Sequence, residues 1–140
     1  MCRQYLDIES LRLGERLRVE WAVDALPQDA VLPALTLQPL VENAVYHGVE
    51  PRPAGGVVRI AGEVQEGLLR IAIDNPLPEE SVRAPRDGNR MAQDNVRARL
   101  RSFFGDAGRS EVETRDGLYR VILLFPYWQP ADIGRAHPDR

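Results

Sequence analysis

The chain has 140 residues, 44% of them apolar and 28% charged, which suits one domain with a real core and excludes a disordered tail. Its net charge of -3 argues against a nucleic-acid-binding stripe. All 18 basic residues are arginines, which excludes a Schiff-base or Walker lysine, and a single cysteine, Cys2, excludes a disulfide framework and a cysteine-based zinc site. No apolar run reaches membrane-spanning length and no signal-peptide core is visible, so this chain is expected to be soluble and cytosolic.

Residues 4–13 space Tyr5, Ile8 and Leu11 as a helix does, and Gly14 ends it. Residues 16–24 alternate Leu17, Val19, Trp21 and Val23 with charged neighbours, the period of a half-buried strand. From about Pro33 to His47 the pattern is helical, with Leu37, Leu40, Val41, Ala44 and Gly48 on one face and Pro39 marking an early turn or a kink. Residues 57–65 and 68–75 read as a hairpin turning at Glu66-Gly67, its second strand facing Leu69, Ile71 and Ile73 inward. Residues 76–88 hold three prolines and no period, the mark of a long functional loop expected to be mobile. A helix from Asn89 to Phe104 follows, then two strands, 111–117 and 118–128, joined at Asp116-Gly117. The last dozen residues are expected to form a flexible tail. This order predicts an α+β fold: a two-layer α/β sandwich with a mixed, mostly antiparallel sheet and about three helices on one face.

Three segments combine polar residues with the ends of elements. In LQPLVENAVYHG (37–48), Glu42, Asn43, Tyr46 and His47 offer a carboxylate, an amide oxygen suited to magnesium, and an imidazole. A plain structural role competes, with Gly48 as a C-cap and His47 complementing the helix dipole. In IAIDNP (71–76), Asp74 can accept from an exocyclic amine such as that of adenine, or simply bond the backbone of a turn. In RDGNRMAQDNVRARL (86–100), Gly88 and Asn89 lead into a helix N-terminus that can receive an anion, with Arg90 close by; alternatively Asn89 only caps the helix.

The order of these segments carries a resemblance. LQPLVENAVYHG closely resembles the N box of the LytS-like (AlgZ-type) sensor histidine kinases, L-Q-P-L-V-E-N-A-x-x-H-G. The opening YLDIESLRLGERLRVEW is similar to that family's Y-L-x-I-E-x-x-R-F linker segment, and GNRMAQDNVRARL to its G-x-G-x-x-L-x-N-V-x-x-R-L segment. The likeness covers residues 5–127 and implies the Bergerat ATP-binding fold, with ATP and Mg2+ as cofactors. It implies residues 1–14 as the end of a linker helix, 15–128 as the catalytic and ATP-binding domain, and 129–140 as a tail.

Carried over by position, Asn43 becomes the magnesium ligand, His47 borders the phosphates and Asp74 reads the adenine amino group. Gly88, Asn89, Arg90 and Asn95 fall in the lid segment and the helix after it, and Glu42 is a candidate for orienting a water or the incoming histidine. The implied activity is transfer of the ATP γ-phosphoryl to a histidine on an upstream helical domain, which neither His47 nor His137 matches. The implied partners are that domain, a response regulator and a second copy of the full-length protein, itself anchored in the bacterial inner membrane.

The chain departs from the family pattern in four places. Asp74 is followed by Asn75, Pro76 and Leu77 instead of a glycine pair, and Arg90 replaces the second lid glycine. Tyr46 stands three after Asn43, and no threonine lies between Gly117 and Pro126. These departures keep open a second reading, a degenerate domain that binds nucleotide weakly and signals through protein contacts. A self-contained ATPase ranks last, because the position one turn before Asn43 is Pro39 rather than a carboxylate.

Overall fold

A computed structural model describes residues 2–26, 36–77 and 86–127, with the side chains of 2–3 and 86–92 outside that description. The expected start of the second helix at 33, most of the 76–88 loop and the 129–140 tail therefore lie outside the described residues.

The chain opens with α1 (Cys2–Leu13), which buries Leu6 and Leu13 and stops at Gly14, whose φ of +62° favours glycine. After a short 3-10 turn come β1 (Leu17–Ala22) and α2 (Leu37–Asn43). Pro39 falls in the first turn of α2, where its missing N–H costs no helical bond. β2 (Gly56–Gln65) and β3 (Leu68–Pro76) form the predicted hairpin, and α3 (Arg86–Phe104), β4 (Arg109–Arg115) and β5 (Leu118–Pro126) complete the domain. Both hairpins turn through two residues of positive φ, Glu66-Gly67 at 52° and 81° and Asp116-Gly117 at 53° and 78°, the signature of type I′ turns.

The five strands form one sheet in the order β1-β2-β3-β5-β4. β1 pairs parallel with β2 and all other pairs are antiparallel, which is the mixed sheet that the element order predicts. The three helices share one core with one face of the sheet. Leu40, Val41, Ala44, Val45, Val96, Leu100 and Phe104 pack with Val58, Ile60, Leu69, Ile71, Ile73, Val121, Leu123 and Phe125. The Phe104 and Phe125 rings stack at 5.2 Å, fastening α3 to β5.

The other face is a lattice of charge. Arg59–Glu20, Arg70–Glu63, Arg120–Asp74 and Arg120–Glu113 are ion pairs between residues directly opposed in the strand register. Ala72 and Ile122, opposed in the register of β3 and β5, are buried on that face without belonging to the helix-side core.

Candidate functional site

The N-box-like segment does not end as an ordinary helix. α2 passes at Ala44 into a π-helical turn, Ala44–Val49, sealed by the Glu50 amide donating to the Val45 carbonyl at 2.9 Å, five residues back. Single π turns inside helices are rare and recur at functional sites. Gly48 is therefore not a C-cap, and the helical stretch continues through it. The wider turn buries His47, Gly48 and Val49 and leaves Glu42 and Tyr46 exposed, with Asn43 half-buried between them. The His47 ring meets the Tyr46 ring edge-on at 4.8 Å, and burial lowers its pKa below the usual histidine value.

The far end of the π turn is tied to the first helix. Arg12 Nη1 pairs with Glu50 Oε1 at 2.5 Å, and Arg16 Nη2 donates to the Glu50 and Arg52 carbonyls at 2.5 and 3.2 Å. Glu42 accepts from Gln38 Nε2 at 2.9 Å and, with Glu9, helps burial push the Tyr5 phenol up to about 12. The Glu42 carboxylate thus stands on the α1 side of the N-box-like helix.

Asp74 does not join this group. Strand alternation turns successive side chains to opposite faces, so with Ile73 in the helix-side core Asp74 points to the charged face. There Arg120 grips it from the opposed position in β5, Nε to Oδ1 at 2.6 Å and Nη2 to Oδ2 at 2.8 Å. The two hydrogen bonds further favour the charged guanidinium. The carboxylate, 4% exposed, is satisfied by this pairing on the face away from α2 and α3.

Asn75 takes the helix-side position instead. It follows Leu69, Ile71 and Ile73 in the inward alternation and is 5% exposed. Its side chain packs so closely on Gly48 that a methyl group added to that glycine would lie 2.8 Å from the Asn75 Cβ and Cγ. Nδ2 of Asn75 donates to the Pro76 carbonyl at 2.8 Å. Tyr119 stands opposite Asn75 in β5, and its hydroxyl accepts from Gln93 Nε2 of α3. Burial raises the Tyr119 pKa, so its hydroxyl stays protonated at neutral pH. Asn75, Tyr119 and Gln93 form a polar floor on the helix-side face, with Gly48 on one flank and α3 on the other. Sequence reasoning missed all three, although carrying the period-two alternation through Ile73 would have found Asn75.

The lid-side residues are placed only by their backbone. α3 begins at Arg86, three residues earlier than the sequence suggests, so Gly88 lies inside its first turn instead of preceding it and Asn89 closes that turn instead of opening the helix. The amides of a first helical turn have no partner within the helix, the arrangement that can receive an anion. Arg90 follows in the next turn, with its side chain outside the described residues. Asn95 is exposed on α3, one residue before the buried Val96. The structure therefore brings Glu42, Asn43 and His47 onto one helical stretch, seats that stretch on Asn75, and leaves Asp74 on the opposite face.

No protein-family model matches the chain. Its sequence is 36% identical over 126 residues to the sensor histidine kinase BtsS of Escherichia coli, covering 88% of this chain and 22% of that protein. It is 33% identical over 111 residues to the E. coli sensor histidine kinase YpdA, covering 74% of this chain and 20% of the relative. The sensor protein LytS of Oceanobacillus iheyensis is 27% identical over 139 residues, covering 88% of this chain and 23% of that protein. The chain thus spans about a fifth of the length of each of these three relatives.

Among solved structures, the catalytic domain of histidine kinase ThkA superposes with a TM-score of 0.64 at 17% identity, over 90% of this chain and 91% of that one. ThkA is also known in complex with the response regulator protein TrrA. The fold is that of a histidine kinase catalytic domain, the GHKL-type α/β sandwich. Within that class, the chain belongs with the LytS-like sensor histidine kinases.

Proposed function

We propose that this domain binds Mg-ATP on the helix-side face, between the α2–π stretch and α3. It presents the γ-phosphoryl to a histidine on a helical domain outside this chain. The observation that carries the reading is the polar floor of Asn75, Tyr119 and Gln93 beneath Gly48, set into an otherwise apolar layer.

Asn43, half-buried at the end of α2, supplies a neutral amide oxygen. That donor suits magnesium, a hard cation that binds through few protein ligands and takes the rest from phosphates and water. When bound, the ion neutralises charge on the phosphates. The first-turn amides of α3, Gly88 and Asn89 included, receive the phosphate chain with Arg90 nearby. Exposed Asn95 lies farther along the same helix, and His47 borders the phosphates as a neutral imidazole. Glu42, exposed on the α1 side, meets the incoming histidine and holds its proton. The chain's part in transfer is to position these groups and to keep them ordered.

In this reading residues 15–128 are the catalytic unit and 1–14 the end of the linker that delivers the phosphoacceptor helices. The full-length protein works as a membrane-anchored homodimer and passes the phosphoryl group to a response regulator, as the complex of ThkA with TrrA suggests. Among the described residues no helix is long and apolar enough to cross a membrane. Titration of a fluorescent ATP analogue with magnesium into wild type, Asn43→Ala and Asn43→Asp tests the reading. Saturable binding by wild type that both variants weaken or reshape supports it. Binding that is equal in all three removes Asn43 from the site.

A further inference from the structure

We infer that Arg12 of α1 is a positioning residue for the magnesium and nucleotide site. Through Glu50 it fixes the π turn that places Asn43 and His47, so that α1 and the site are coupled. The inference rests on the nucleotide reading above and concerns what holds that same site in order.

Glu50 is held at three points. Its amide closes the π turn on the Val45 carbonyl at 2.9 Å, its Oε1 meets Arg12 Nη1 at 2.5 Å, and its carbonyl accepts from Arg16 Nη2 at 2.5 Å. An ordinary α-helical turn would send that amide to the Tyr46 carbonyl, four residues back. Which carbonyl it reaches depends on where Glu50 stands, and both arginines that hold Glu50 come from α1 and the turn after it. Arg12 is itself steadied by Glu9, Nε to Oε2 at 2.6 Å. The loop beyond Glu50 is moulded on the same turn: Arg16 Nη2 also reaches the Arg52 carbonyl at 3.2 Å, and a methyl group on Gly55 would collide with the Arg16 carbonyl. On the sheet side, Val49 is fully buried and Gly48 lies against Asn75. Asn43 and His47 thus sit on a stretch anchored to the sheet at one point and to α1 at another. A half-exposed ion pair such as Arg12–Glu50 adds little to folding stability by itself. Its consequence is positional, because a shift of α1 pulls on the residue that closes the π turn. Coupling of this kind is reciprocal, so occupation of the site also tightens α1 against the domain.

The test measures the affinity of a fluorescent ATP analogue, with and without magnesium, in wild type, Arg12→Ala, Glu50→Ala, the double variant and Arg12→Lys. Hydrogen exchange of α1 is followed in wild type. Affinity with magnesium should fall about fivefold in each alanine variant, the low end of coupling between sites. The double variant should fall no further, because both residues act through one contact. Arg12→Lys keeps a cation in place and should recover most of the loss. Affinity without magnesium should change less, and melting temperatures should move by only a few degrees. In wild type, saturating nucleotide with magnesium should slow exchange of the α1 amides. Wild-type affinity in both alanine variants, additive losses in the double variant, or unchanged α1 exchange at saturation overturns the inference and leaves the nucleotide reading intact. An affinity loss that tracks a large fall in melting temperature makes Arg12 merely structural and overturns it too. Failure of folded wild type to bind the analogue overturns both.

Discussion

Asp74 and Asn75 are neighbours in one strand, yet they live in different chemical worlds. On the outer face, polar side chains pair with one another across strands: Asp74 with Arg120, Glu113 with Arg120, Arg70 with Glu63. On such a face the charges answer one another across the strands. On the helix-side face, the polar groups are few, buried or half-buried and set among aliphatic side chains, where an added hydrogen bond meets less competition from water. Asn75, Tyr119 and Gln93 are of this second kind. Charge at a strand end is thus a poor guide to a binding residue; the face on which it lies decides.

The comparison is most easily broken at the outer pair. Asp74→Ala should cost about 2–3 kcal/mol of folding stability, because it removes the buried partner of the two-point pair and leaves Arg120, partly open to water, with only its longer contact to Glu113. Urea denaturation measures this, and a loss below about 1 kcal/mol would reduce the pair to an ordinary surface bridge. On the inner face, Gly48→Ala should cost about 2 kcal/mol, since the new methyl group would overlap Asn75 and the sheet beneath leaves it nowhere to go. It should also weaken nucleotide binding, which Asp74→Ala should not.

Two smaller effects sharpen the same contrast. Tyr119→Phe removes the acceptor for Gln93 and should cost about 1 kcal/mol, with loss of some nucleotide affinity. His47 carries a lowered pKa because it is buried, so the folded state holds fewer protons than the unfolded state near the histidine range. Its contribution is fully present above about pH 6.5, the unfolded value, and is lost as pH falls toward the lower folded value. His47→Gln should flatten the pH dependence of stability in that window alone, as thermal melts at pH 5 to 7.5 would register.

Much of the architecture is legible in the chain itself. Gly14, the two turn pairs and the alternation of Leu69, Ile71 and Ile73 announce a helix end, two hairpins and an inward strand face, and the structure has all of them. The N-box-like motif likewise leads to Glu42, Asn43 and His47 on one stretch. The site is less legible where local signals conflict. Motif likeness favours Asp74, whereas the strand period favours Asn75, and the period reflects backbone geometry that a motif cannot override. The π turn after Asn43 has no pattern in the residues, because it depends on how Gly48 and Val49 meet the sheet. The start of α3 is missed because Gly88 and Asn89 are poor helix formers, yet a helix this long tolerates both in its first turn.

The division of labour between Asp74 and Asn75 is tested most directly by NMR of labelled protein, following the Asn75 side-chain amide and the Arg120 Nε–H during titration with magnesium and a non-hydrolysable ATP analogue. If the nucleotide lies over the floor that Asn75 helps form and Arg120 only holds Asp74 on the far side, the Asn75 amide resonances shift with saturation while the Arg120 signal stays in place. A titrating Arg120 signal beside an unmoved Asn75 amide would show that the nucleotide reaches Asp74 instead, and would contradict the assignment of the two faces.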